Sequence, residues 1–143
     1  MQHNTLKAST DIDIQFYDCD PLGIVWHGNY VKYFEVGREA FCKVFNLNFL
    51  DIFHKNGFST PLVNMDFSFK RPLTYKDVAV VEATYKKSDS AKLIFHYCIK
   101  KQSTGELICT GSTTQVFVGK DNGLLSLIAP DFYLDWQKQN NLL

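Results

Sequence analysis

Apolar and polar residues alternate from Thr10 to Tyr17, where Ile12, Ile14 and Phe16 are separated by Asp11, Asp13 and Gln15. That two-residue period predicts a strand with one face buried. Pro21 cannot continue it. From about Gly28 to Leu47 the period lengthens, with Tyr30, Phe34, Gly37, Phe41 and Phe45 recurring at steps of three and four, the spacing of one helix face. Val31, Val36, Ala40, Cys42 and Val44 widen the apolar surface beyond a single stripe, so this helix is expected to be wrapped on several sides. Gly37 permits close approach of a neighbouring element. A short second helix is predicted over Leu50 to Lys55, ending at Asn56 and Gly57, residue types that supply a left-handed cap.

Beyond Ser59, Thr60 and Pro61 the period returns to two. Met65, Phe67 and Phe69 alternate with Asp66, Ser68 and Lys70 until Pro72 intervenes. Ala79, Val81, Ala83 and Tyr85 form a second set, and Leu93, Phe95, Tyr97 and Ile99 a third. The stretch QSTGE then reads as a turn, and Leu107 to Val118 as a long final strand. One strand, a long helix and four further consecutive strands predict an α+β fold, an antiparallel sheet meandering around the helix. A terminal helix is expected from Asp131, with Pro130 just before it. There is no internal repeat, low-complexity tract or glycine-rich phosphate loop.

The chain of 143 residues suits one domain, expected over residues 1–143. Fifteen basic and fifteen acidic side chains cancel, so the total charge points to neither nucleic acid nor an anionic membrane surface. The start, MQHNTLKAST, has no signal-peptide apolar core, and no apolar run approaches the roughly 18 residues of a membrane span; a cytoplasmic location is the expectation. Cys19, Cys42, Cys98 and Cys109 show no zinc-like spacing, and are expected to act as small hydrophobes. Aromatic residues reach 15%, more than a small isolated core needs, which hints at a subunit interface.

Chemistry concentrates in residues 17–30, YDCDPLGIVWHGNY. Aspartate is common in turns because its carboxylate accepts backbone amides, and for Asp18 that reading is preferred. Asp20 precedes Pro21, which biases it to extended backbone, and faces the start of the long helix. His27 and Gly28 stand where that helix begins, so amides lacking intrahelical partners and the positive helix end should stabilise an oxyanion. Together they supply a carboxylate that attacks or activates water and donors for a tetrahedral intermediate. Glu35 and Arg38, three apart on the helix, are expected to form a surface pair contributing about 0.2–0.5 kcal/mol. His54 and His96 have no suggestive acidic neighbours.

The run YDCDPLGIVWHGNYVKYFEVGR, with its D-x-D-x-x-G-x-V pattern and following H-x-x-Y, resembles the hot-dog-fold acyl-CoA thioesterases of the 4-hydroxybenzoyl-CoA thioesterase type. The likeness spans roughly residues 8 to 135. It implies a hot-dog fold, a curved five-stranded antiparallel sheet around one long central helix. It places the catalytic carboxylate on Asp20 and the carbonyl-polarising helix start on His27. Gly28, Tyr30 and Thr60 are the implied substrate contacts, Thr60 matching a position that approaches the acyl group. The resemblance also implies a homodimer or homotetramer with sites at subunit interfaces. Lys86, Lys87 and Lys92 occupy the place of the family's basic run for nucleotide phosphates, but Asp89 interrupts them, so both acyl-CoA and an acyl-carrier-protein thioester remain open as substrates. Neither metal nor separate cofactor is expected, CoA or phosphopantetheine being part of the substrate. A hot-dog hydroxyacyl-thioester dehydratase and a non-catalytic acyl-CoA-binding or acyl-carrier-binding module are the alternatives.

Overall fold

The first strand starts and stops earlier than its alternation predicts. In the computed structural model, which describes residues 5–143, β1 covers Lys7–Asp13, and Phe16–Asp18 is a 3-10 turn. The turn closes because Oδ2 of Asp18 accepts the Gln15 amide at 2.9 Å while Asp18 N donates to Gln15 O at 3.0 Å. Phe16 and Tyr17 therefore leave the strand and are exposed. A second 3-10 turn, His27–Asn29, leads into α1, Tyr30–Val44. α2 covers Phe49–His54 and starts where the Asn48 side chain accepts the Leu50 and Asp51 amides. It stops before Gly57, whose φ of +79° needs a residue without a Cβ.

The remaining elements are β2 (Phe58–Ser59), β3 (Leu62–Phe69), β4 (Val78–Lys86), β5 (Lys92–Lys101), β6 (Leu107–Val116), β7 (Val118–Gly119) and α3 (Asp131–Gln139). The five long strands form an antiparallel sheet in the order β1-β4-β5-β6-β3, and β2 pairs with β7. Only β4, β5 and β6 meander. The consecutive order expected from sequence fails at β3, which lies on the edge beside β6 while residues 70–77 carry the chain back to β4. Alternation tells which face of a strand is buried, not which strand lies beside it.

One face of this sheet wraps α1. Phe34 stacks on Tyr97 and Phe67 at ring separations of 4.4 and 4.7 Å, and Phe34 and Phe41 are fully buried. Gly37 rests on Val81: a Cβ there would lie 2.8 Å from Cγ2. Arg38 and Glu35 do pair, but not on the surface as expected. The Arg38 side chain is only 11% exposed, its guanidinium lies over the Phe49 ring, and Nη1 is buried without a partner.

Strand register defines two ends of the sheet. Leu62 and Leu93 both oppose Gln115, and Lys86 opposes Ile94. At the other end Phe69 and Ile99 oppose Cys109, and Ala79 opposes Lys101. α3 closes the first end, packing Tyr133 and Trp136 on Tyr85, Phe117 and Phe41. The loop 17–30 closes onto the second.

Candidate active site

The chain around Asp20 is a miniature hairpin. Cys19 and Val25 form an antiparallel bridge, and between them Gly23 N donates to Asp20 O at 2.9 Å, closing a turn through Pro21 and Leu22. Gly23 ends it at φ +79°, a conformation glycine adopts without strain. The Asp20 carboxylate takes part, Oδ1 accepting Leu22 N at 2.9 Å. This contact anchors one oxygen. The hairpin is tied down by Val25 N donating to Leu73 O at 2.8 Å and by a bridge from Ile24 to Thr74.

Asp18 has the structural work that its turn position suggests. It is buried, and its carbonyl accepts Trp26 N at 2.9 Å and Asn29 Nδ2 at 2.7 Å, so it holds the start of the helix against the hairpin. The Tyr33 hydroxyl is buried without a hydrogen-bond partner; burial first and the nearby Asp18 carboxylate second push its pKa up.

The helix start differs in detail from a bare α-helical N-terminus. In the 3-10 turn, Asn29 N donates to Trp26 O and Tyr30 N to His27 O. Among the described residues the His27 and Gly28 amides donate to no acceptor, which leaves these two to meet a ligand oxygen. Trp26 lies over Gly28 so closely that a Cβ there would sit 2.2 Å from the indole ring. Absence of that atom is what lets the ring cover this backbone.

Asp20, His27 and Tyr30 line one open cleft of about 330 Å³ with Ile24, Val25, Phe69, Lys70, Arg71 and Pro72. The Tyr30 ring packs edge-on against Phe69 at 5.1 Å, and burial pushes its hydroxyl pKa up to about 12, so it is a neutral O–H at physiological pH. Gly28 lies in the same turn. The other sequence-derived residues lie elsewhere: Thr60 precedes β3 at the end where its carbonyl accepts Gln115 Nε2 at 2.9 Å, and Lys86, Lys87 and Lys92 surround the β4–β5 connection. At about 3.3 Å per residue, eight steps of β4 separate the lysines from the cleft end by roughly 25 Å. From sequence, Arg71 beside Pro72 is as ambiguous a phosphate contact as the lysines, while Phe69, Lys70 and Pro72 carry no site role; the signal for a cleft there is the break of alternation at KRP, where an edge strand ends.

Residues 14–136 match the family described as the thioesterase-like superfamily. The chain belongs to that superfamily. Its relatives include the Bacillus subtilis (strain 168) protein named "Putative acyl-CoA thioesterase YneP", 31% identical over 115 residues that cover 80% of this chain and 82% of the relative. The 4-hydroxybenzoyl-CoA thioesterase of Pseudomonas sp. (strain CBS-3) is 27% identical over 128 residues, covering 85% and 91%. Among solved structures, a DHNA-CoA thioesterase from Staphylococcus aureus superposes with a TM-score of 0.81 over 92% of this chain and 87% of that one, at 24% identity. That likeness shows the hot-dog architecture: five antiparallel strands around the long helix of this superfamily member.

Proposed function

We propose that this thioesterase-like protein hydrolyses an acyl thioester of CoA, aryl or short to medium aliphatic, to the free acid and CoA. The observation that carries the reading is that Asp20 and His27 line the same cleft, beside a turn whose His27 and Gly28 amides have no acceptor among the described residues. The thioester oxygen accepts from those amides, which stabilise the charge that develops on it. Asp20, with Oδ1 held by Leu22 N, uses its other oxygen either on the carbonyl carbon directly or to take a proton from water. The C–S bond breaks and CoA leaves as a thiolate, whose low basicity makes a dedicated acid unnecessary; after direct attack, water cleaves the acyl anhydride on Asp20 to release the acid and restore the carboxylate. An acyl-carrier thioester presents the same reacting atoms.

A second copy belongs to this proposal. β3 is an edge strand with Leu62, Val63 and Phe69 exposed, and exposed apolar edges pair. Antiparallel pairing of two such strands about Met65 and Asp66 sets Leu62 opposite Phe69 of the partner subunit and Thr60 opposite Arg71 of the partner subunit. Thr60 then reaches a cleft it cannot reach within its own chain.

The test is thiol release from acyl-CoA. Wild type is expected to release CoA, and Asp20→Asn to lose about a hundredfold or more in kcat, with its melting temperature unchanged. Undiminished hydrolysis by Asp20→Asn overturns the assignment. Enoyl product without thiol points to the dehydratase, and binding without turnover to a carrier module. In single turnover in labelled water, label in the Asp20 carboxylate marks direct attack.

A further inference from the structure

Two cations stand at the cleft that holds Asp20 and His27, and they are not the lysines that the sequence suggested. Lys70 and Arg71 both line it. Their backbone is firmly placed: Lys70 N and Arg71 N donate to Ile108 O at 2.8 and 3.2 Å, and Pro72 disfavours helical backbone at Arg71. Their charges are much less committed. Arg71 approaches Glu106 with Nε 3.5 Å from Oε2, too long for a tight ion pair, and its side chain is 64% exposed, so among the described residues its guanidinium fork can turn to another anion. Among the described residues Lys70 has no ion-pair partner.

The proposed substrate is itself an anion, and its phosphates must lie outside the reacting pocket, where the cleft opens. A guanidinium binds a phosphate through two parallel hydrogen bonds and an ammonium acts as a point charge. From this placement we propose that Lys70 and Arg71 form the phosphate-binding pair of the site, gripping a phosphate of the CoA nucleotide or of the phosphopantetheine arm while the acyl end reaches Asp20 and His27. This rests on the thioesterase reading. Within one chain, Lys86, Lys87 and Lys92 stand at the other end of β4 and β5. Both groups are solvent-exposed, so the grip is modest and weakens with salt.

Three substrates with one acyl group separate the possibilities: acyl-pantetheine without phosphate, acyl-phosphopantetheine with one, and acyl-CoA. The double variant Lys70→Ala/Arg71→Ala is expected to raise KM for acyl-CoA about tenfold with kcat within about twofold, and to leave acyl-pantetheine unaffected. The same loss on acyl-phosphopantetheine assigns the arm's phosphate; a loss on acyl-CoA alone assigns the nucleotide's. Arg71→Lys should recover only part of the effect. Equal losses on acyl-pantetheine and acyl-CoA overturn the proposal, as does a phosphate-dependent loss found in Lys86→Ala/Lys87→Ala and absent from the Lys70/Arg71 variant. Calorimetric binding of CoA itself keeps the test independent of turnover. Wild type should bind CoA about tenfold more tightly than the Lys70/Arg71 variant, and equal affinities refute the pair even if no thioester is hydrolysed.

Discussion

The two ends of one sheet have been treated in opposite ways. At the Leu62–Leu93 end, α3 lays Tyr133 and Trp136 across the aromatic core, and most polar atoms find partners, Gln115 Oε1 being the buried exception. Tyr85 OH pairs with Tyr133 OH and accepts from Gln137, Trp136 Nε1 donates to Phe45 O at 2.8 Å, and Tyr133 OH donates to Lys92 O. At the Phe69–Ala79 end no helix lies across the opening. Trp26, Leu22, Phe69 and Tyr75 are exposed there, and among the described residues the His27 and Gly28 amides have no acceptor. The difference teaches how a small fold divides its labour, since buried polar groups must be paired. The closed end pairs most of them within the chain and gains stability. The open end leaves its two free amides to water or a ligand.

The strongest way to break this division is Trp136→Ala, which empties a large aromatic site at the closed end. A loss of about 3–5 kcal/mol in unfolding free energy is expected, read from the denaturant midpoint, while kcat per folded molecule stays near wild type. A comparable fall in kcat would show that the two ends are coupled. Gly28→Ala acts at the open end with the opposite signature. Its Cβ must push the half-exposed Trp26 ring aside, so kcat should drop about tenfold, or about 1.4 kcal/mol in barrier, with a much smaller change in melting temperature.

Alkaline pH sharpens the contrast from the protein's centre. Burial pushes the Tyr97 hydroxyl up to about 12, against an ordinary value of about 10. Below pH 10 folded and unfolded chains both keep this proton, so stability is flat. Between 10 and 12 the unfolded chain loses it while the folded chain retains it, so stability falls as pH rises through that window, by about 1.4 kcal/mol at pH 11. Tyr30, also raised to about 12 by burial, adds in the same direction. Urea titrations across this range check the sign, and Tyr97→Phe should remove its share.

Legibility followed the range of the interactions. The left-handed stop after α2 was readable because Gly57 acts on its own backbone, and the core face of α1 because Phe34, Gly37 and Phe41 repeat at the helical period. Phe16 misled because alternation continued through it, while a contact three residues long, from Asp18 to Gln15 N, turned the chain away. Arg38 misled because i,i+3 spacing shows that a pair can form but not whether a sheet lies over it.

The candidate site divides along the same line. Residues 17–30 already contained the turn chemistry of Asp20, Pro21 and Gly23 and the helix start at His27, since these depend on bonds spanning a few residues. Lys70 and Arg71 entered that cleft, and Lys86, Lys87 and Lys92 were kept from it, through the path of residues 70–77 and the register of strands far apart in the chain. Local patterns carry backbone conformation and the burial of faces. Which distant side chains share a volume is settled by strand order, because only packing the sheet around α1 decides which edge β3 takes.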